Sequence, residues 1–364
     1  MLEALGEIII SAVFFGLGAL IITLFGVEFE WAETDPDTVI LIGITVFSVI
    51  FAIIFVLVKL IKGKTSILNS KNMLYKNLVS RVHIDKGWSG DKKYCATDKV
   101  GQKFLLRIAA ADKHEKKKTE FALMSKVAKL GIPMCAPLEF GICDEGVYTL
   151  YEWIDGFEAK EKIGDFAPEK QYEYGQKAGC FLNKIHSIPA PAGKEPWADY
   201  FNRKADRKIK MYKECPLKYE GGQAFIDYIN EKRYLLSCRT QTLQHGDYHL
   251  GNMMIGVDGQ LYIIDFDKYD FGDPWEEFNR IVWSVQSSPA FASGLVDGYF
   301  DNNVPIEFWE LLAFYISSNT LSSLPWAIPY GEEQINIIRK QAGEILTWYD
   351  GMKNPVPSWY TSKK

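Results

Sequence analysis

Hydrophobic and polar positions divide the chain sharply near residue 60. Before that point lie two uncharged runs, Ile8 to Val27 and Val39 to Val58. At roughly 1.5 Å per helical residue, each is long enough for a hydrocarbon core of about 30 Å. Glu28, Glu30, Glu33, Asp35 and Asp37 fill the loop between them, whereas Lys59, Lys62, Lys64, Lys71, Lys76 and Arg81 follow the second run. Glu3 and Glu7 stand where a signal peptide would place bases. The pattern predicts a membrane hairpin over residues 1–66, with spans at about 8–27 and 39–61, and a juxtamembrane linker over 67–78. By the positive-inside rule both termini and the rest of the chain lie on the cytoplasmic side of the cell membrane, with the lipid bilayer as a partner.

From residue 79 the periodicity changes. Val82–Lys86, Lys92–Thr97 and Lys103–Ala109 read as short strands, and His114–Leu130 as a helix ended by Gly131 and Pro133. Leu138–Cys143 and Val147–Trp153 flank Asp144-Glu145-Gly146 as a hairpin. Beyond Asp155-Gly156 helical patterns dominate, at about 168–187, 196–213, 222–236, 274–286, 306–320 and 331–348. The strands expected there are Met253–Gly256 and Leu261–Ile264. The expected class is α+β and two-lobed: a small lobe of five antiparallel strands over 79–154 and a mainly helical large lobe over 155–364.

Composition changes this picture little. A net charge of −5 over 364 residues offers no basic excess for nucleic acid. The six cysteines show no metal-ligand spacing, which suits a reducing compartment and packing roles.

The chemistry concentrates in His245-Gly246-Asp247-Tyr248-His249-Leu250-Gly251-Asn252 and Ile263-Ile264-Asp265-Phe266-Asp267. Phosphoryl transfer needs a carboxylate at the attacking hydroxyl and oxygen ligands for the metal that bridges the nucleotide phosphates. Asp247 fits the first role, and Asn252 with Asp265 fits the second, as ligands of Mg²⁺. His245 is expected to brace the loop. His249 either contacts phosphate or fills the loop, and Asp267 either adds a metal contact or is a solvated turn acid.

In the small lobe, Lys86-Gly87-Trp88-Ser89-Gly90-Asp91 joins the first two strands, so Gly87, Ser89 and Gly90 let backbone N–H groups approach phosphates. Arg107 is the cation of the third strand, and Glu120 in the next helix is placed to hold it over the phosphates. Asp270, Asp273, Glu276 and Glu277 follow the metal site. They either form an acidic floor that draws a cationic substrate or complement a helix N-terminus.

On the catalytic run, on Gly272-Asp273-Pro274, on Leu106-Arg107 with Glu120, and on Tyr151-Glu152-Trp153-Ile154-Asp155-Gly156, residues 75 to 350 resemble the aminoglycoside phosphotransferase family and its choline-kinase-like relatives. The resemblance implies a two-lobed kinase fold that moves the γ-phosphate of ATP or GTP to a small-molecule hydroxyl, on an aminoglycoside-like or other amino-alcohol acceptor. It also implies that Glu152, Trp153 and Ile154 line the nucleotide. Arg107 departs from the lysine of protein kinases, and the membrane runs are not part of the family pattern. The competing expectation is a membrane-anchored pseudokinase that binds nucleotide and acts as an interaction module.

Overall fold

A computed structural model describes residues 74–85 and 90–361. The two apolar runs at 8–27 and 39–61, the linker up to Met73, and Gly87 and Ser89 lie outside these residues. Among the described residues no helix is long and apolar enough to cross a membrane.

Five strands build the small lobe: β1 Leu78–His83, β2 Lys92–Asp98, β3 Lys103–Ala109, β4 Pro137–Cys143 and β5 Gly146–Glu152. They form one antiparallel sheet in the order β1-β2-β3-β5-β4. The central strands are the apolar ones: Phe104, Leu106 and Ile108 of β3 and Val147 and Leu150 of β5 are buried. Helix α1, His114–Ala128, follows β3, and its Leu123, Met124 and Val127 join the core at helical spacing. The first strand starts earlier than the pattern predicts, at Leu78 rather than Val82, and a bulge between Leu78 and Ser80 interrupts its register against β2.

The large lobe begins with β6 Gly156–Glu158 and the single-turn α2 Ala159–Lys162, followed by α3 Pro168–Ile185, α4 Trp197–Glu214 and α5 Gln223–Lys232. Next come β7 Thr242–Gln244, β8 Met253–Gly256, β9 Leu261–Ile263 and β10 Asp270–Gly272. Helices α6 Ile281–Ser287, α7 Pro289–Phe300, α8 Ile306–Ala327 and α9 Glu332–Trp348 complete it. The order β6-β8-β9 makes one small antiparallel sheet, and β7 pairs with β10. Strands β6, β7 and β10 are absent from the sequence expectation, since three residues are too few to show a period of two.

Two helices also differ. The expected helix at 274–286 is a 3-10 turn, Glu276–Arg280, leading into α6. Helix α7 escapes the pattern altogether because it is apolar on nearly every side, with Phe291, Ala292, Leu295 and Val296 all buried. It packs on α3 through reciprocal glycines. A Cβ at Gly175 would stand 2.1 Å from the Phe291 carbonyl oxygen, and one at Gly294 would stand 2.2 Å from that of Tyr172. The same close approach recurs one turn on, at Gly179 and Gly298.

Candidate active site

The catalytic segment leaves β7 at His245 and enters β8 at Met253. Gly246 has φ +85°, and a Cβ there would meet the Lys268 carbonyl oxygen at 1.8 Å, so the loop closes only on glycine. The buried Glu277 carboxylate accepts from the backbone N–H of Gly246 at 3.0 Å and of Tyr248 at 3.2 Å. Glu277 is thus a brace for the loop, and it makes these contacts rather than the substrate or metal contact considered for it. Burial pushes its carboxyl up to about 7, against the pull of the loop N–H groups.

His245 is fully buried. Its Nε2 lies 2.9 Å from the Ile264 carbonyl oxygen and its Nδ1 accepts from Asp247 N at 3.3 Å, so Nε2 carries the proton. Burial pushes its pKa down to about 4, which keeps the ring neutral. His249 accepts from Gly251 N at 3.0 Å and packs edge-on against Trp283. It too is pushed down to about 4, by burial first, with the Asp247 charge opposing. A neutral, turn-capping His249 fills the loop. Its Nε2 stands 3.6 Å from Asp247 Oδ1.

Asp247 Oδ2 accepts from Lys268 Nζ at 2.8 Å, and Arg280 Nε lies 3.5 Å from Oδ1. Burial would raise the carboxyl, but the Lys268 hydrogen bond and the Arg280 charge outweigh it and hold the group below the usual carboxylate range. Oδ1 is buried without a hydrogen-bond donor. Asn252 Nδ2 donates to the Asp247 carbonyl oxygen at 2.9 Å, which directs its carboxamide oxygen elsewhere.

The next strand, β9, delivers Asp265 and Asp267. Asp265 sits in the left-handed region at φ +65°, uncommon for a residue with a side chain and frequent at functional sites. Burial first and the neighbouring Asp267 second raise its pKa. Asp267 is held low despite burial because Arg107 ion-pairs with it, while its Oδ1 is buried with no hydrogen-bond partner. Two adjacent carboxylates, one ionisation disfavoured and one acceptor oxygen unmet, suit a hard divalent cation. Asp267 is therefore no solvated turn acid. Among the described residues no group of three or more His, Cys, Asp and Glu gathers for a metal, so the candidate set is mixed: Asn252, Asp265 and Asp267.

The small lobe answers with cations. Arg107 on β3 pairs with Asp267 and, at 3.1 Å, with Asp91 just ahead of β2. Glu120 feels the Arg107 charge, as expected of a partner, but burial raises its carboxyl and its ion pair is with another cation. It ion-pairs at 3.0 Å with Lys117, which also holds Asp91 at 2.7 Å. Lys93 stands opposite Arg107 in the β2–β3 register and acts electrostatically on both Asp265 and Asp267. Gly90 is in place beside Asp91. At the lobe junction Glu152 N donates to the Ala136 carbonyl oxygen at 2.9 Å, and the Glu152 carbonyl oxygen accepts from Cys135 Sγ at 3.1 Å. Trp153 Nε1 donates to Asp155 at 2.9 Å, and Ile154 is half-buried beside it.

The remaining acids do not form an acidic floor. Asp273 is buried and gripped bidentately by Arg239, at 2.6 and 2.9 Å, with the Tyr315 hydroxyl donating at 2.7 Å. Glu276 meets Lys204 at 3.1 Å and Gln244 Nε2 at 3.1 Å. Asp270 is exposed near Lys194 at 3.5 Å and caps its own strand at Phe271 N. Among the described residues Asp247, Asn252, His249, Asp265, Asp267 and Arg107 are linked with the loop braces His245 and Glu277. Sequence reasoning missed Lys268, Arg280, Asp91, Lys117 and Lys93. Lys117 was readable, three residues before Glu120 on one helix face; the other four pair across gaps that no local pattern marks.

Solved structures of similar fold share this frame. A thermostable mutant of aminoglycoside phosphotransferase APH(4)-Ia, in ternary complex with ADP and hygromycin B, matches with TM-score 0.54 at 14% identity, over 75% of this chain and 96% of its own. The amicoumacin kinase hAmiN, in complex with AMP-PNP and Ca²⁺, matches with TM-score 0.54 at 13% identity, over 80% and 97%. A choline/ethanolamine kinase family protein from Mesorhizobium loti matches with TM-score 0.53 at 14% identity, over 81% and 97%. At such identities the likeness shows the two-lobed kinase fold. The sequence itself matches the phosphotransferase enzyme family over residues 81–311, and the chain belongs to that family, whose members phosphorylate small-molecule hydroxyl groups.

Proposed function

We propose that the chain transfers the γ-phosphate of ATP or GTP to the hydroxyl of a small molecule, with Asp247 as the base. The observation that carries this reading is the buried, donor-free Oδ1 of Asp247, an acceptor atom held ionised by Lys268 and Arg280. Asp247 orients the acceptor hydroxyl and receives its proton as the oxygen bonds to the γ-phosphorus and the bond to the leaving nucleoside diphosphate breaks. His245, Glu277 and Gly246 keep that carboxylate in place, so positioning precedes chemistry. Arg107 and Lys93 line the phosphate side. Asn252, Asp265 and Asp267 are the residues that would hold Mg²⁺, which when bound neutralises phosphate charge.

Support for ATP and a divalent cation also comes from the similar kinases, whose structures carry ADP, or AMP-PNP with Ca²⁺. The expectation of an amino-alcohol acceptor loses its ground in the acids, which are spent on Arg239, Lys204, Lys194 and the loop backbone. We further propose that the runs at 8–27 and 39–61 tether the enzyme to the cytoplasmic face of a membrane, on their length and on the flanking charge. Carbonate extraction should leave the full chain with the membrane and release a chain beginning at Met73.

Labelled γ-phosphate transfer from ATP and from GTP, scored over aminoglycosides, choline, ethanolamine, sugars and hydroxy acids, tests the reaction. A phosphorylated small molecule is the expected product. Nucleotide binding without transfer to any acceptor would favour the pseudokinase reading instead.

A further inference from the structure

The acceptor side of the catalytic loop carries a run of cations with too few partners. On α4, Lys204 and Lys208 stand four residues apart and so share one helix face. Opposite them, Glu276 and Arg280 stand at the two ends of the 3-10 turn. Lys204 ion-pairs with Glu276 at 3.1 Å. Arg280 reaches back to Asp247, at 3.5 Å, beside Lys268. Lys208 shares its helix face with Lys204, feels the charges of Lys204, Glu276 and Arg280, and has no ion pair of its own among the described residues. Lys268 and Arg280 thus meet Asp247, the proposed base, while Lys204 meets Glu276 and Lys208 acts on it electrostatically, four cations to two carboxylates.

A partly buried ammonium among like charges is costly without a counter-charge. Lys208 shows the strain, since burial first and Lys204 second push its pKa down to about 7. An anionic ligand would relieve it. Of the acids near this face, Asp273 is buried and held by Arg239, while Asp270 is exposed, pairs loosely with Lys194 and also acts on Lys204.

Resting on the phosphotransferase reading, we propose that the acceptor is an anion, a small alcohol bearing a carboxylate or phosphate that Lys208, Lys204 and Arg280 hold while its hydroxyl faces Asp247. Such a site inverts the charge selection expected of an amino-alcohol kinase. Arg280 then links the two halves, contacting both the base and the substrate's charge.

The test uses the full chain loaded with Mg²⁺ and AMP-PNP, titrated in turn with glycerate, glycerol 3-phosphate and choline. The account expects one of the two anions to bind more tightly than choline, and the better of them names carboxylate or phosphate. Lys208→Gln should weaken that anion about tenfold, and Lys208→Arg should retain it, with nucleotide affinity unchanged in both. Tighter choline binding, no binding of either anion, or indifference to Lys208→Gln overturns the proposal. A chain that fails to bind Mg²⁺ and AMP-PNP at all overturns the phosphotransferase reading, which is a separate result.

Discussion

The two sides of the catalytic loop solve opposite electrostatic problems. On the nucleotide side, Arg107, Lys113 and Lys117 are matched by Asp91, Asp267 and Glu120 in a largely buried network that reaches from β3 and α1 to the segment after β9. On the acceptor side, Lys204, Lys208, Lys268 and Arg280 outnumber Glu276 and Asp247. A balanced network holds its own charges in place. An unbalanced one leaves charge for a ligand to complete. The contrast locates structural work on one side and selection on the other.

Removing a cation should therefore hurt stability on the nucleotide side and specificity on the acceptor side. Arg107→Met strips a buried partner from Asp91 and Asp267 and should destabilise the protein by about 3 kcal/mol, with nucleotide affinity falling alongside. Denaturant melts that match wild type would show that the network is slack. Acid should have a comparable effect through the loop itself. His245 and His249 are both pushed down to about 4, below the ordinary 6.5 of imidazole. Their contribution is complete above about pH 6.5 and is lost as pH falls through 4, where protonation costs on the order of 3 kcal/mol for the fully buried His245. A melting-temperature series should drop across that window and flatten in His245→Asn; equal slopes in the two proteins would remove the histidine from the explanation. Asp270→Asn should do least, shifting stability by less than about 0.5 kcal/mol and acceptor KM not at all, because this carboxylate is exposed at a strand end. A raised KM for cationic acceptors alone would restore the acidic-floor reading.

The candidate catalytic residues were legible in the sequence because their spacing is local. Asp247, Asn252 and Asp265 are read from one loop and the strand after it, and the small lobe follows from alternation interrupted by turns. What escaped has physical reasons. Helix α7 is buried almost all round and carries Gly294 and Gly298 for contact with Gly175 and Gly179, so it shows no polar face to mark it. Strands β7 and β10 are three residues each. Arg107 and Glu120 read as a phosphate clamp in the sequence and are both buried, but the Asp267 and Asp91 partners of Arg107 depend on packing between segments apart in the chain. The acids after β9 were read as a group because they are neighbours in sequence, whereas the fold sends Asp273, Glu276 and Glu277 to three different partners.

The central claim is that Asp247 drives transfer without holding the nucleotide. It is tested most directly by comparing wild type with Asp247→Asn in a γ-phosphate transfer assay, with Mg²⁺-nucleotide affinity measured on the same samples. The account predicts a rate lower by about 10² to 10⁴ with nucleotide affinity unchanged. Undiminished transfer by Asp247→Asn would contradict it.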